Sequence, residues 1–407
     1  MNKISSLFQE IKTDVDVLKN FLIENSFENS APYSNWKEEY IHIYDENNTN
    51  LELFLLLSLV YFTGWRVYFQ IIKGNIYHDN TSEDINSIVA QITQKNDNFS
   101  LSFFNELVTI FPKRERTIYE QLLAKIAPNA QLSLDIYLDN IIKSLISSTI
   151  RHKSGEFYTP SFLVKKMIEK SYNFGERVID PSCGTGNFLS EIIKKIIQSD
   201  KTQKEKRMAI KNVYGFDINP VSLLLARVNL LWISGELNED LKENLIKLDF
   251  LFPNIINFKH KFDLVIGNPP WYTLRDIFSL QYQEKVKILA EDLGIKPLPK
   301  NILNIEIASL FVYKAKQALM DVNSKIFFLL PRGVLTGSHA SRFRNFNGFK
   351  NILIWNFDDA IMKIFNIDFI CLYGEKDVNL VNLHGHGNLE VPQILWNFKN
   401  DKNLQPR

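Results

Sequence analysis

The chain of 407 residues is nearly neutral, with 47 Lys and Arg residues against 46 Asp and Glu residues and a formal net charge of +1. This balance argues against a free-standing nucleic-acid binder, which usually carries an evident basic surface. With 45% hydrophobic residues, the length predicts two or three domains with substantial cores.

The cysteines, histidines and apolar segments narrow the class of protein. Cys183 and Cys371 provide no disulfide framework, and the 7 histidines show no metal-ligand spacing, so we expect no metal site. No secretory pattern opens the chain, and the apolar stretch Leu53 to Phe62 is too short to span a bilayer, which predicts a buried helix. These features favour the reducing cytoplasm and no membrane contact.

Residues 1–150 predict an all-helical N-terminal domain. Apolar residues recur there at helical spacing, for example Ile11 and Val15, without strand or glycine-loop signals. From residue 151 strands alternate with helices, which predicts an α/β domain with a doubly wound, mostly parallel sheet at 151–376. Residues 377–407 are interpreted as a short C-terminal tail.

The second domain opens with Gly155 to Pro160, of sequence GEFYTP. Thr159 and Pro160 are typical of a helix N-cap and a first-turn proline, here for the amphipathic stretch Phe162 to Tyr172. The sequence therefore predicts that a helix begins at this segment, and a capped helix end is also a suitable wall for a ligand.

A glycine-containing loop, Asp180 to Gly186 with the sequence DPSCGTG, follows a predicted strand. Gly184 and Gly186 allow close approach of a ligand to the backbone, and an amphipathic helix starts at Asn187. Leu189 stands where a dinucleotide fingerprint has its third glycine, which disfavours a pyrophosphate ligand. The loop is therefore interpreted as a cofactor site of another kind.

The next two predicted strands end in acidic residues. Asp217 ends the first, where a carboxylate commonly accepts hydrogen bonds from two ribose hydroxyls; helix capping is the alternative. Asp249 and Phe250 end the second and suit the amino edge and the face of a cofactor adenine. Core packing is the alternative for Phe250.

The tetrapeptide Asn268-Pro269-Pro270-Trp271 follows the predicted strand Phe262 to Gly267. The exocyclic amine of adenine is a poor nucleophile because its lone pair is delocalised into the ring. Carbonyls of Asn268 and Pro269 can accept its two N–H groups and so favour the pyramidal nitrogen of the transition state. The prolines fix the backbone, and Trp271 offers a flat face to an unstacked base. The alternative is a turn closing a strand, with Trp271 in the core.

Three later segments complete the second domain. The polar residues 272–300 predict either a loop that closes over substrate or a plain surface insertion. Asn351 to Phe357 and Phe369 to Tyr373 predict the closing strands of the sheet, including an antiparallel strand.

In this order, the motifs resemble those of N6-adenine DNA methyltransferases, in particular the modification subunits of type I restriction-modification systems and type IIG methyltransferase domains. The resemblance implies a Rossmann-like class I methyltransferase fold and S-adenosylmethionine as cofactor. It implies a cofactor pocket made of Glu156, Phe157, Tyr158, Thr159, Asp180, Gly184, Thr185, Gly186, Asp217, Asp249 and Phe250. It also implies catalysis by Asn268, Pro269, Pro270 and Trp271, with Trp271 and Phe365 contacting the flipped adenine. Core packing is the alternative for Phe365.

Target recognition is where the sequence departs from single-chain members of that family, which need a domain that reads base edges. Only residues 377–407 follow the second domain. We therefore expect double-stranded DNA and a separate specificity subunit as partners, and a second copy of this chain as a further candidate. A truncated chain is the competing explanation.

Three functions remain open at this point. The first is DNA adenine methylation within a restriction-modification or defence complex. The second is RNA or protein-glutamine methylation, because an Asn-Pro-Pro-aromatic motif also suits a planar amide. The third is a non-catalytic scaffold that binds cofactor. The GEFYTP segment and the long helical start favour the first over the second, and the intact Asn268 argues against the third.

Overall fold

The computed structural model describes residues 2–44, 46–74, 84–95, 97–126, 145–146, 159–237, 240–253, 261–358, 361, 367–377, 391–399 and 403–406. The chain divides into two compact units. The first consists of Met1–Arg151 and Asn219–Ile233, and the second of His152–Ile218 and Ser234–Arg407. The chain therefore enters the first unit twice, which a single boundary near residue 150 does not describe.

The helices lie in both units. In chain order they are α1 (Asn2–Glu24), α2 (Ala31–Tyr44), α3 (Leu51–Ile72), α4 (Ile85–Lys95), α5 (Ser102–Ile110), α6 (Lys113–Lys125), α7 (Ser161–Ser171), α8 (Asn187–Ile197), α9 (Gln203–Ile210), α10 (Pro220–Ser234), α11 (Leu280–Asp292), α12 (Ile307–Ala318) and the single turn α13 (Gly333–Thr336). Helices α1 to α6 confirm the helical pattern predicted for the N-terminal part of the chain.

Helix α3 forms the core of the first unit. It begins where the side chain of Asn50 accepts a hydrogen bond from the Leu53 amide at 3.0 Å, an ordinary N-cap. The helix is longer than the predicted Leu53 to Phe62, and by length and composition its 22 residues could cross a membrane. However, 72% of its most apolar window is buried inside the protein, which is what a core helix shows.

Helix α10 is fixed in the first unit by a buried ion pair. The Arg227 side chain is 0% exposed and donates to Asp97 Oδ2 at 2.8 Å and to the hydroxyl of Tyr68 at 2.9 Å. Its guanidinium carbon also lies 4.3 Å from the centre of the Tyr68 ring. A buried charge is tolerated only when it is paired and hydrogen-bonded. This set of contacts therefore fixes where α10 packs against α3.

The second unit is built on one mixed sheet, and the predicted α/β fold with a mostly parallel sheet is confirmed. The strands are β1 (Val178–Asp180), β2 (Val213–Asp217), β3 (Leu245–Lys247), β4 (Phe262–Gly267), β5 (Met320–Pro331), β6 (Phe349–Phe357), β7 (Phe369–Lys376), β8 (Gln393–Lys399) and β9 (Asn403–Pro406). Their spatial order is β3-β2-β1-β4-β5-β7-β6-β8-β9.

Strands β1 to β5 pair in parallel, and β7 runs antiparallel between β5 and β6. The predicted antiparallel strand in the closing part of the sheet is therefore present. Strand β4 is buried along most of its length, which is typical of a parallel strand covered on both faces. The sheet does not close at β7, because β8 pairs in parallel with β6 and β9 pairs with β8. The residues expected as a short tail after 376 thus contribute two strands.

We expect Asp97→Ala to lower the free energy of unfolding of the first unit by about 3–5 kcal/mol, because it leaves the Arg227 charge buried without its partner. Urea unfolding followed by tryptophan fluorescence, to which the fully buried Trp36 and Trp65 of this unit contribute, measures the change. The control is Asp16→Ala, which breaks a Lys19–Asp16 pair with side chains 26% and 45% exposed and should cost below about 1 kcal/mol. Equal losses in the two variants would contradict the role of the buried pair.

Candidate active site

The candidate site lies at one edge of the parallel part of the sheet. Asp180 is the last residue of β1, Asp217 is the last residue of β2, and Asn268 directly follows β4. Because β1 pairs in parallel with both β2 and β4, their carboxyl ends meet at the same edge. Strand order reverses between β1 and β4, and open α/β sheets bind ligands at such a point.

The carboxylate of Asp180 packs directly against Gly267, the last residue of β4. The Asp180 side chain is buried, and its Oδ1 accepts a hydrogen bond from the Ser182 amide at 3.0 Å. A Cβ atom on Gly267 would lie 2.8 Å from Asp180 Cγ, closer than two such atoms can pack. Only glycine fits at position 267. The side chain of Asp180, at the end of β1, therefore determines which residue can precede the tetrapeptide.

Burial shapes the electrostatics of this edge. It raises the pKa of Asp180 to about 8, and the nearby charge of Asp217 adds to the effect while the Ser182 amide opposes it. Burial also raises the pKa of the Cys183 thiol well above its ordinary value, again with help from the two carboxylates. Cys183 is therefore held as a thiol and is a poor nucleophile.

The glycine loop has the conformation that a close-approach site requires. Gly184 has a φ of 52° and Gly186 a φ of 85°, both in the left-handed region that favours glycine. The Gly184 amide donates to Asp217 Oδ2 at 2.8 Å, which joins the loop to the end of β2. A Cβ on Gly184 would meet no atom within 4 Å, so open space borders the loop at this point. Thr185 lies half-buried between the two glycines.

Thr159 joins the tetrapeptide to the glycine loop, and its predicted role as a helix cap is wrong. The N-cap of α7 is Pro160, with no side-chain capping bond. The Thr159 hydroxyl oxygen accepts a hydrogen bond from Asn268 Nδ2 at 3.1 Å, and its carbonyl oxygen accepts one from Asn187 Nδ2 at 2.6 Å. In addition, Ser182 Oγ donates to the Asn268 carbonyl at 3.4 Å. Three motifs far apart in sequence therefore share one hydrogen-bonded cluster.

Two aromatic residues of the predicted site lie in the core. Trp271 is 5% exposed; its ring packs 6.3 Å from that of Phe369, and its Nε1 donates to the Leu329 carbonyl at 3.4 Å. Phe250 is 2% exposed, and its ring centre lies 5.4 Å from that of Phe311. Each residue has the environment stated as its alternative, and contacts of either with a base remain predictions.

The segment 272–300 contains an ordered helix that reaches the site. It includes α11, a short 3-10 helix at Leu274–Asp276 and the start of another at Pro299–Asn304. The hydroxyl of Tyr282 on α11 donates to Asp249 Oδ2 at 2.8 Å. Burial raises the pKa of Asp249, and the hydrogen bond from Tyr282 opposes that shift. The segment is therefore more than a plain surface insertion.

The remaining predicted residues divide into two groups. Pro269 is buried and Pro270 half-buried, directly beyond β4. Glu156, Phe157, Tyr158 and Phe365 lie outside the described residues. The structure adds four residues that the motifs did not single out for a role: Gly267, Ser182, Asn187 and Tyr282. Of these four, only Gly267 could have been identified from the sequence, because it is a glycine at the end of a predicted strand and directly precedes the tetrapeptide.

The open, mostly parallel sheet, with a glycine loop after β1 and acidic residues at the end of β2 and after β3, has the Rossmann-like fold of class I methyltransferases. Residues 117–335 match the N-6 DNA Methylase family, which is more than half of the chain. The chain therefore belongs to this family, which confirms the resemblance found in the motifs.

Two curated relatives illustrate the match. The chain is 31% identical over 142 residues to the type II methyltransferase M.VspI of Vibrio sp. (strain 343), covering 33% of this chain and 29% of that protein. It is 26% identical over 206 residues to the type I restriction enzyme EcoEI methylase subunit of Escherichia coli, covering 50% of this chain and 37% of that subunit. The chain thus spans well under half the length of either relative.

Solved structures show the same fold. The ATP-dependent Type ISP restriction-modification enzyme LlaBIII bound to DNA has a TM-score of 0.57 at 13% identity, covering 97% of this chain and 29% of that one. The DrdV–DNA complex has a TM-score of 0.55 at 14% identity, covering 96% and 43%. At these identities the similarity establishes the fold alone.

We expect Asp180→Asn to change how stability depends on pH. The raised pKa means that ionisation of Asp180 costs folding free energy, so its contribution is complete below the ordinary value of 3.8 and is lost as pH rises to about 8. Asparagine keeps an oxygen for the Ser182 amide but does not ionise. The free energy of unfolding of the variant, relative to that of the native protein, should therefore rise from pH 5 to pH 8, as measured by urea unfolding without cofactor.

The matched control is Asp263→Asn, which alters an exposed carboxylate at the start of β4. It should show no comparable rise. A difference between Asp180→Asn and the native protein that stays constant over this pH range would contradict the buried, neutral carboxyl group.

Proposed function

We propose that this chain transfers a methyl group from S-adenosylmethionine to the N6 amino group of a flipped-out DNA adenine. The observation that carries the proposal is the hydrogen-bonded cluster in which Asn268 meets Thr159 and Ser182 beside the glycine loop. The cluster supports the proposal because Asn268, which suits an amine acceptor, is hydrogen-bonded to Ser182 of the loop that suits a cofactor. Membership of the N-6 DNA Methylase family favours DNA over RNA or protein as the acceptor.

The residues of the edge fit S-adenosylmethionine. Gly184 presents its backbone to open space, and the Asp217 carboxylate, half-buried at the end of β2, can accept from ribose hydroxyls. Asp249 can accept from the adenine amino group. When bound, the cofactor supplies an electrophilic methyl group.

Asn268 acts on the acceptor amine. Its Nδ2 donates to Thr159 Oγ1, and this bond fixes the plane of the amide. The side-chain carbonyl and the backbone carbonyl of Pro269 can then accept from the two N–H groups of the adenine amine. These bonds are strongest for the pyramidal nitrogen with a localised lone pair, so they stabilise the transition state more than the bound base.

Trp271 has mainly a positioning role in this proposal. With its ring packed near Phe369 and 5% of the residue exposed, it can offer a base only a small part of its surface. Its burial instead fixes the backbone of the tetrapeptide relative to β5, through the hydrogen bond to Leu329. We also propose that the flipped base packs on Phe365, as the resemblance to N6-adenine DNA methyltransferases implies.

Two substitutions should separate binding from chemistry. Asn268→Ala should abolish methyl transfer while leaving cofactor affinity nearly unchanged, because its bonds are made to the acceptor in the transition state. Asp217→Ala should weaken cofactor binding by about 1.5–3 kcal/mol for each ribose hydrogen bond lost. Calorimetry with S-adenosylhomocysteine and transfer of labelled methyl groups to DNA measure the two effects. Undiminished turnover of Asn268→Ala would overturn the amino-methylation mechanism.

We further propose that the chain works with a separate specificity subunit, and with double-stranded DNA as substrate, in a restriction-modification complex. The support is the net charge of +1, which leaves few phosphate contacts, and the relative named as the methylase subunit of a type I restriction enzyme. A second copy of the chain is an additional candidate partner. The free, buried cysteines Cys183 and Cys371 fit the reducing cytoplasm.

The purified chain should therefore bind DNA weakly and without sequence preference. Fluorescence anisotropy at about 0.15 M salt measures the affinity, and sequencing of methylated adenines after incubation with mixed-sequence DNA measures the preference. Asn268→Ala provides the background without transfer. Methylation of a defined sequence by the chain alone would show that recognition resides in this polypeptide.

A further inference from the structure

Tyr282 lies outside every sequence motif, yet it contacts the acid that follows β3. Its hydroxyl donates to Asp249 Oδ2 at 2.8 Å, while the Leu251 amide donates to Asp249 Oδ1 at 3.0 Å. Each oxygen of the carboxylate therefore receives one hydrogen bond. Both donors follow Asp249 in sequence, one in the loop directly after β3 and the other on α11.

The ring of Tyr282 is held in place independently of its hydroxyl. It packs edge-to-face on Phe252, with ring centres 5.0 Å apart. Burial raises the pKa of Tyr282, and the charge of Asp249 raises it further, so the hydroxyl stays a donor. Burial also raises the pKa of Tyr272, the residue directly after the tetrapeptide, and the charges of Asp249 and Asp276 raise it further. The segment that follows the tetrapeptide thus gathers two tyrosines around Asp249.

We propose that Tyr282 is a positioning residue that orients the Asp249 carboxylate toward the amino group of the cofactor adenine. This inference rests on the proposed use of S-adenosylmethionine. A carboxylate has about four lone-pair sites, and the bonds from Tyr282 and Leu251 use two, so a further donor can be accepted. Because α11 follows the tetrapeptide in sequence, the contact also links the segment beyond the acceptor site to cofactor binding.

The test is Tyr282→Phe, which removes the hydroxyl and keeps the ring on Phe252. Calorimetry with S-adenosylhomocysteine should give a dissociation constant about tenfold higher than that of the native chain, because a carboxylate that Tyr282 no longer orients forms a poorer bond to the adenine amine. Methyl transfer should show a raised KM for S-adenosylmethionine with an almost unchanged kcat. If Tyr282 had a purely structural role, the substitution would lower stability without raising KM selectively over kcat.

The matched control is Tyr313→Phe. It removes the buried hydroxyl of a tyrosine on α12, which donates to the Phe343 carbonyl at 2.9 Å and not to Asp249. This variant should lose stability but keep the native affinity for S-adenosylhomocysteine. If both variants lose affinity equally, the effect is a general loss of packing and the inference fails.

Two further measurements identify the route of the effect. An S-adenosylhomocysteine analogue with hydrogen in place of the 6-amino group cannot donate to Asp249, so the native chain and Tyr282→Phe should bind it equally. In an Asp249→Ala background, Tyr282→Phe should have no additional effect on affinity. A persistent loss in either experiment would show that Tyr282 does not act through Asp249 and the adenine amine.

The outcomes also separate this inference from the proposed function. If the native chain binds no S-adenosylhomocysteine, the proposed cofactor is wrong. If the native chain and Tyr282→Phe bind it equally, only the role of Tyr282 is wrong. If Tyr282→Phe binds it more tightly, the hydroxyl competes with the adenine amine for the carboxylate, and the positioning role is overturned.

Discussion

The close packing of Asp180 on Gly267 is the constraint on which the candidate site depends. The parallel pairing of β1 with β4 brings the last residues of these strands together, and a side chain at position 267 would collide with the carboxyl group. With glycine there, Asn268 emerges beside the loop that follows β1. The distance between the glycine loop and Asn268 is thus set by the backbone pairing of β1 with β4.

The two units differ in how their buried ionisable side chains are stabilised. In the first unit Arg227 is paired with Asp97 and Tyr68, so its charge is compensated. In the second unit Asp180 has one amide donor and a neighbouring carboxylate, so burial raises its pKa to about 8. The first arrangement fixes a helix, whereas the second keeps an acidic group largely neutral beneath a loop proposed to hold a cationic cofactor.

The proposed methyl transfer site is assembled from segments that are distant in sequence. Thr159 precedes the sheet, Ser182 lies in the glycine loop, and Asn268 follows β4, yet they share hydrogen bonds. Tyr282, from a further segment of the chain, donates a hydrogen bond to Asp249. Because no helix or strand alone contains the site, its geometry is sensitive to the packing of the whole second unit, and residues outside the motifs contribute to it.

The sequence by itself determined the local features of this protein. The strand Phe262–Gly267 and the helix start at Asn187 follow from residue patterns within a few positions, and the structure has them as predicted. Family membership follows from the same motifs. These features depend on local periodicity and backbone preference, which a single sequence displays directly.

Tertiary structure decided what depends on contacts between distant residues. Thr159 was expected to cap a helix, but the cap position is Pro160 and the Thr159 hydroxyl accepts a hydrogen bond from Asn268 instead. Residues beyond 376 join the sheet through pairing with β6, and α10 packs with the N-terminal helices through Arg227. The contact of Tyr282 with Asp249 has no counterpart in any local pattern. Such contacts depend on which surfaces pack together in the folded chain. The spacing of residues along the sequence does not show which surfaces these are.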